Sequence, residues 1–235
     1  EIWDSFRKVI EQAGKFHADL FLIAGDLFHR QPLVKDLKKV NALFSMIPDT
    51  KIVLIAGNHD YLRKDSPYRK FKWGKNVRGL WNQNISHVDF PELGVRISGC
   101  SYGSREITRP VYDSLKKSGE MPVEILLAHG GDEKHIPISK ERLAASGFDY
   151  IALGHIHKPQ ILIKDRMIYA GALEPIDKND IGPHGFIKGE IRNGRVQTAF
   201  VSSALRDYKN AEIIVTEATA QHSLEQKIRD IIKSM

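Results

Sequence analysis

An α/β architecture follows from three features of this 235-residue sequence. Apolar runs at Leu20–Ala24, Ile52–Ala56, Ile125–Ala128 and Tyr150–Leu153 are short and continuous, the pattern of strands buried on both faces of a parallel sheet. Between them lie stretches with apolar residues at helical spacing. From Gln160 the rhythm changes to short strands and tight turns, which adds an antiparallel layer.

The opening segment Glu1–His17 places Ile2, Phe6, Val9, Ile10 and Ala13 on one face and keeps Asp4, Lys8, Glu11 and Lys15 polar, so an amphipathic helix is expected. Strand Leu20–Ala24 follows it. Pro32 starts a second helix over Leu33–Met46, with Val34, Leu37, Val40 and Phe44 inward, and Pro48 ends it; with Ile52–Ala56 this makes a βαβ unit. Tyr61–Trp81 is the most basic and aromatic stretch, mixing Arg63, Lys64, Arg69, Lys70, Lys72, Lys75 and Arg78 with Tyr68, Phe71 and Trp73. Such mixing suits a nucleic-acid backbone with stacked bases, and equally a solvated loop whose aromatics tuck inward. Strands are expected at Ile85–Phe90 and Val95–Gly99, then a helix near Pro110–Lys117, strand Val123–Ala128, helix Ser139–Ser146 and strand Tyr150–Leu153. The short strands are Ile161–Lys164, Met167–Ala170, Gly185–Ile191 and Val196–Val201, with Asn193-Gly194 as the turn of a hairpin. After Asp207 the pattern shifts to a strand at Glu212–Val215 and an amphipathic helix over Ser223–Ile232.

The bulk composition sets bounds on function. Hydrophobic content of 42% is ordinary for a globular domain. An excess of 35 Lys and Arg over 29 Asp and Glu gives +6, which favours a polyanionic partner and equally describes a merely basic surface. The single cysteine, Cys100, excludes an internal disulfide framework and fits a reducing, cytoplasmic compartment. It reads as a small buried apolar residue. No apolar stretch approaches the roughly 18 residues of a membrane span, so no membrane partner is expected.

The apolar runs each deliver a polar phrase at a strand's carboxyl end, where open α/β sheets place their ligands: Gly25-Asp26-Leu27-Phe28-His29, Gly57-Asn58-His59-Asp60, His129-Gly130 and Gly154-His155-Ile156-His157. Five of the ten histidines belong to these phrases. A lone histidine is usually a satisfied packing residue, but this clustering points to a metal site. The carboxylate of Asp26 has two oxygens with which to bridge two cations, and the amide oxygen of Asn58 beside imidazoles suits borderline-hard ions such as Mn²⁺. His155 and His157 straddle one residue, so an extended strand end would point both toward one site. His59 follows a ligand directly and can reach the same phosphate, with Asp60 expected to hold its ring. His135, His184, Tyr102 and Arg105 are weaker candidates for substrate contact; His17, His87 and His222 read as packing or surface residues.

Taken together, these phrases resemble the calcineurin-like metallophosphoesterases, whose pattern is Asp-x-His, Gly-Asp-x-x-His, Gly-Asn-His-Asp/Glu, a later His and Gly-His-x-His. Within that superfamily, these phrases with Gly171-Ala172-Leu173-Glu174-Pro175 and His184-Gly185-Phe186 look like the SbcD-type DNA repair exonucleases. The resemblance implies a sandwich of two mixed β-sheets flanked by helices and hydrolysis of phosphodiesters with two divalent ions. By motif, Asp26 would bridge both ions, Asn58, His129 and His155 would complete one site, and His157 would serve the other. His59 would stabilise or protonate the leaving oxygen, and His29 would orient the phosphodiester. DNA is the implied substrate, an SMC-like ATPase subunit the implied partner, and a homodimer a further expected assembly. Residues 1–206 would form the nuclease domain and 207–235 the start of a capping domain. The chain contains no Asp-x-His, which the family carries on a strand ahead of the opening helix. The expected first strand is therefore missing: either the sequence is a piece of a longer active protein, or it is a mononuclear or inactive relative. A phosphoesterase acting on small molecules or phosphoproteins, and a non-catalytic nucleic-acid-binding module, are the alternatives.

Overall fold

Helices and strands alternate as the apolar pattern requires. The computed structural model describes residues 2–217 and 219–234. Helix α1 (Ile2–Lys15) leads to β1 (Leu20–Ala24), α2 (Val34–Phe44) and β2 (Lys51–Ile55); a one-turn helix α3 (Pro67–Lys70) and β3 (Val77–Gly79) follow. Next come β4 (Ser86–Phe90), β5 (Val95–Gly99), β6 (Val123–His129), α4 (Lys140–Ala144) and β7 (Tyr150–Gly154). Strands β8 (Gln160–Ile163), β9 (Met167–Tyr169), β10 (Gly185–Arg192) and β11 (Arg195–Ser202) precede α5 (Gln221–Ser234).

Strands β1, β2 and β3 form a three-stranded parallel sheet. A six-stranded mixed sheet runs β4-β5-β6-β7-β9-β8, parallel from β5 through β9 and antiparallel at its two edges. The two sheets stack face to face. Alternation along β2 shows the layering: Val53 and Ile55 join Ile97, Ile125 and Leu127 between the sheets, while Ile52 and Leu54 face Phe6, Ile10, Leu37 and Phe44 of α1 and α2. On the far side, Leu126 and Ala128 of β6 pack with Tyr112, Leu143 and Met167. Strands β1, β2, β6 and β7 are thus apolar on both faces, which explains their unbroken runs in the sequence. Strands β10 and β11 form a separate hairpin turned by Asn193 and Gly194, both at positive φ.

Two elements differ from expectation. Residues 110–117 make successive turns instead of a helix, because Tyr112 is buried with its hydroxyl against the backbone of His129 and the Lys117 amide donates to Ser146. No strand forms at 212–215. In the basic segment the inward-tucked alternative is seen: Tyr68 is buried and stacked on Trp81 at 4.8 Å, and Phe71, Trp73 and Trp81 pack partly buried against the core with α2, while the basic side chains stay outside. Helix α5 buries none of its described residues, and no helix among the described residues is long and apolar enough to cross a membrane.

Candidate metal centre

The site forms where β1, β2, β6 and β7 end at the same edge of the stacked sheets. Backbone turns at the first of these exits are tight: Gly25 has φ +86° and Asp26 φ +50°. A Cβ on Gly25 would meet the His129 ring and the Gly57 backbone, and a Cβ on Gly57 would meet the Asp26 carboxylate. These glycines let the strand ends, and so the donor side chains, approach one another.

Asp26, Asn58, His129 and His155 converge. His129 Nε2 lies 2.8 Å from Asn58 Oδ1 and 3.3 Å from Asp26 Oδ2, and His155 Nδ1 lies 3.1 Å from the same Asn58 oxygen. The outer ring nitrogens fix the tautomers. His129 Nδ1 sits 2.7 Å from the Ala24 carbonyl, and His155 Nε2 sits 2.7 Å from the Asp132 carboxylate. Neither oxygen can donate, so each outer nitrogen carries a proton, and whenever the ring is neutral its lone pair points inward. Two ring nitrogens, an amide oxygen and a carboxylate oxygen therefore face one another as acceptors, an arrangement that a divalent cation satisfies. The absence of a thiolate among them suits a harder ion than a structural zinc.

His129 is fully buried, and its peptide is fixed on the other side by the hydroxyls of Tyr102 and Tyr112. Burial alone would raise the Asp26 carboxyl, but the His129 hydrogen bond and charge, with the His59 amide at 2.8 Å, hold it below its ordinary value. The His129 ring moves the opposite way, because Asp26 outweighs the cost of burial. Burial pushes the His59 imidazole down against the pull of Asp26, and His29 and Arg105 add to the lowering.

Asp60 does not hold His59. Its carboxylate is fully buried and accepts from Tyr68 Oη at 2.6 Å, the Gly57 amide at 2.7 Å and the Phe28 amide at 3.2 Å. Burial, then the charge of Asp26, raises it to about 6 despite these donors. Asp60 thus staples the β1 and β2 exit loops together; it is not an orienting partner of the imidazole. What contacts His59 is His29, whose ring stacks on it at 4.4 Å with the planes 25° apart.

His157 stands apart from the other donors. Strand β7 ends at Gly154 and His155 takes φ +96°, so the alternation expected of an extended end is broken. His157 is 41% exposed, with Nδ1 3.3 Å from Asp180. Both His155 and His157 nevertheless line one cavity of about 730 Å³, shared with Asp26, Asn58 and His59 and bordered by Arg105, Lys134, Lys158 and His135. Tyr102 and His184 are buried outside it. No motif in the sequence marks Asp180, whereas Asp132-Glu133-Lys134-His135 repeats the Asp-x-x-His spacing of Asp26 and His29 immediately after His129-Gly130-Gly131.

The comparisons agree with this geometry. The family model for calcineurin-like phosphoesterases matches residues 1–159. This chain belongs to the calcineurin-like phosphoesterase family. Among curated calcineurin-like relatives, the uncharacterized metallophosphoesterase YhaO of Bacillus subtilis (strain 168) is 28% identical, the alignment covering 98% of this chain and 60% of that protein. The DNA double-strand break repair protein Mre11 of Methanocaldococcus jannaschii is 30% identical over 77% of this chain and 52% of its own length. Mre11 of Archaeoglobus fulgidus is 26% identical over 97% of this chain and 59% of its own. The chain thus spans between half and three-fifths of the length of these relatives.

Proposed function

We propose that this chain is the catalytic part of a metal-dependent phosphodiesterase that cleaves DNA in repair, as an exonuclease or endonuclease. The observation that carries the reading is the convergence of Asp26, Asn58, His129 and His155 on one point at the edge of a cavity bordered by Arg105, Lys134 and Lys158. A donor set of this kind holds a divalent ion, Mn²⁺ in our assignment, and the bordering cations favour a polyanionic substrate. The names of the Mre11 relatives support DNA as that substrate.

In this assignment Asp26, Asn58, His129 and His155 would hold one divalent ion, and Asp26 with His157 would serve a second. Bound divalent ions supply Lewis-acid activation of water and of the phosphoryl oxygens. The protein's own groups then position and protonate. His59, facing the cavity, would stabilise or protonate the leaving oxygen, and His29, stacked on it, would orient the phosphodiester. Asp60 acts only through the loops that it joins. An SMC-like ATPase subunit as partner, a homodimer and a cytoplasmic location complete the proposal by resemblance.

The deciding experiment incubates the protein with Mn²⁺ and linear double-stranded DNA, and in parallel with a nucleotide phosphomonoester and a phosphopeptide. DNA cleavage that is lost in Asn58→Ala, with little turnover of the small substrates, is the expected result. Turnover of the small substrates without DNA cleavage would replace the nuclease reading by that of a small-substrate phosphoesterase.

A further inference from the structure

Three carboxylate and carbonyl acceptors lie behind the histidines of the metal centre, and the one behind His155 is part of no motif. Asp132 sits in the loop after β6. Its Oδ1 accepts the amides of Lys134 at 2.8 Å and His135 at 2.9 Å, so the carboxylate is oriented by its own turn before it touches any side chain. Its Oδ2 is left facing His155 Nε2 at 2.7 Å, and His135 Nδ1 closes on the same carboxylate at 2.9 Å. The loop itself is fastened to the strand it serves: the Gly130 amide donates to Gly154, the last residue of β7, and Tyr169 Oη donates to the Gly130 carbonyl at 2.9 Å.

We propose that Asp132 is the positioning residue for His155: by accepting the Nε2 proton it fixes the tautomer and ring plane that aim Nδ1 at Asp26, Asn58 and His129. The Ala24 carbonyl does the same for His129, but from the backbone, where no mutation can remove it. Asp132 is therefore a side chain through which His155 can be loosened without touching a donor. Its half-exposed position, with 47% of the side chain accessible, means that its removal leaves no cavity in the core. Carboxylates behind ligating histidines also raise ligand basicity, and their loss costs on the order of 10–100-fold in metal affinity.

This inference rests on the metal-centre reading, and its test separates the two. Mn²⁺ affinity is measured by electron paramagnetic resonance titration for the wild type, Asn58→Ala, Asp132→Ala, Asp132→Asn and His135→Ala, and the His155 tautomer is read from two-bond ¹⁵N–¹H correlations of the imidazole without added metal. Expected are tight binding in the wild type, its loss in Asn58→Ala, and about a 10–100-fold weakening in Asp132→Ala. Asp132→Asn, which keeps an acceptor oxygen, should fall between the two, and His135→Ala should match the wild type. In the spectra, His155 should change from a pure Nε2–H form to a tautomer mixture only in Asp132→Ala. Wild-type affinity and an unchanged tautomer in Asp132→Ala would overturn the positioning role while leaving the centre intact. A further ion lost equally in Asp132→Ala and His135→Ala would also overturn it, by making Asp132 a ligand. If the wild type binds no Mn²⁺, the centre and the positioning role fall together.

Discussion

Tyr68→Phe tests whether the buried carboxylate of Asp60 organises the metal centre. The substitution removes one hydroxyl, 2.6 Å from Asp60 Oδ2, and leaves the ring that stacks on Trp81 in place. Asp60 then keeps only two backbone donors, Gly57 and Phe28, in a site with no access to water. A hydrogen bond to a charged group contributes about 1.5–3 kcal/mol, and a buried acceptor left short of donors sits toward the upper end. For a chain of this size each kcal/mol shifts the melting midpoint by about 2–4 °C, so a drop of about 3–12 °C is expected. Urea and thermal melts of the wild type, Tyr68→Phe, Asp60→Asn and the double variant form a cycle that isolates the pair. Because Asp60 joins the segment bearing Asp26 to the one bearing Asn58, Mn²⁺ affinity should fall with stability in Tyr68→Phe. A Tyr68→Phe protein within 0.5 kcal/mol of the wild type, taken as roughly the noise of such a cycle, or strictly additive effects, would refute the staple.

Three further outcomes are expected. Gly57→Ala puts a Cβ onto the Asp26 carboxylate, so it should abolish Mn²⁺ binding, with retention of wild-type affinity counting against the packed strand ends. His59→Ala should keep Mn²⁺ but lose about 10²–10⁴ in phosphodiester turnover under single-turnover conditions; parallel loss of metal would make His59 a ligand. Mn²⁺ at about 100 times its dissociation constant should stabilise the fold by about 2.7 kcal/mol, raising the melting midpoint by about 5–11 °C over the chelator-treated protein, and a metal-independent midpoint would argue against a site in the native state.

What the sequence could and could not reveal divides along a physical line. Asp26, Asn58, His129 and His155 are readable because each stands directly at the end of an apolar run, and parallel strands packed on both faces must end at a common edge. Chain order alone brings them near one another. Asp60 misleads for the opposite reason: adjacency to His59 suggests a pair, yet the turn sends its side chain inward to Tyr68, a contact set by how Tyr61–Trp81 packs under α2. The same packing draws Phe71, Trp73 and Trp81 partly into the core, so that spacing among basic residues alone does not tell a binding surface from a tucked-in loop. The positive φ at His155 likewise could not be read, because no residue-type preference announces it there, yet His155 and His157 still line the same cavity.

Asp132 is the instructive case. Its partner His155 lies 23 positions away on a different element, and the distance closes only because β6 and β7 are neighbours in the sheet with His129 opposite Gly154. Donors to an ion must come from rigid strand ends, whereas the groups that orient those donors need only reach their outer face, and a loop turning back from the neighbouring strand does that. Asp132-Glu133-Lys134-His135 satisfies the need with local turn chemistry: an aspartate that caps its own turn is already held with one oxygen outward. In a site of this design the search for orienting residues therefore belongs in the loops that follow the neighbouring strands, at the aspartates whose first oxygen the backbone has already taken.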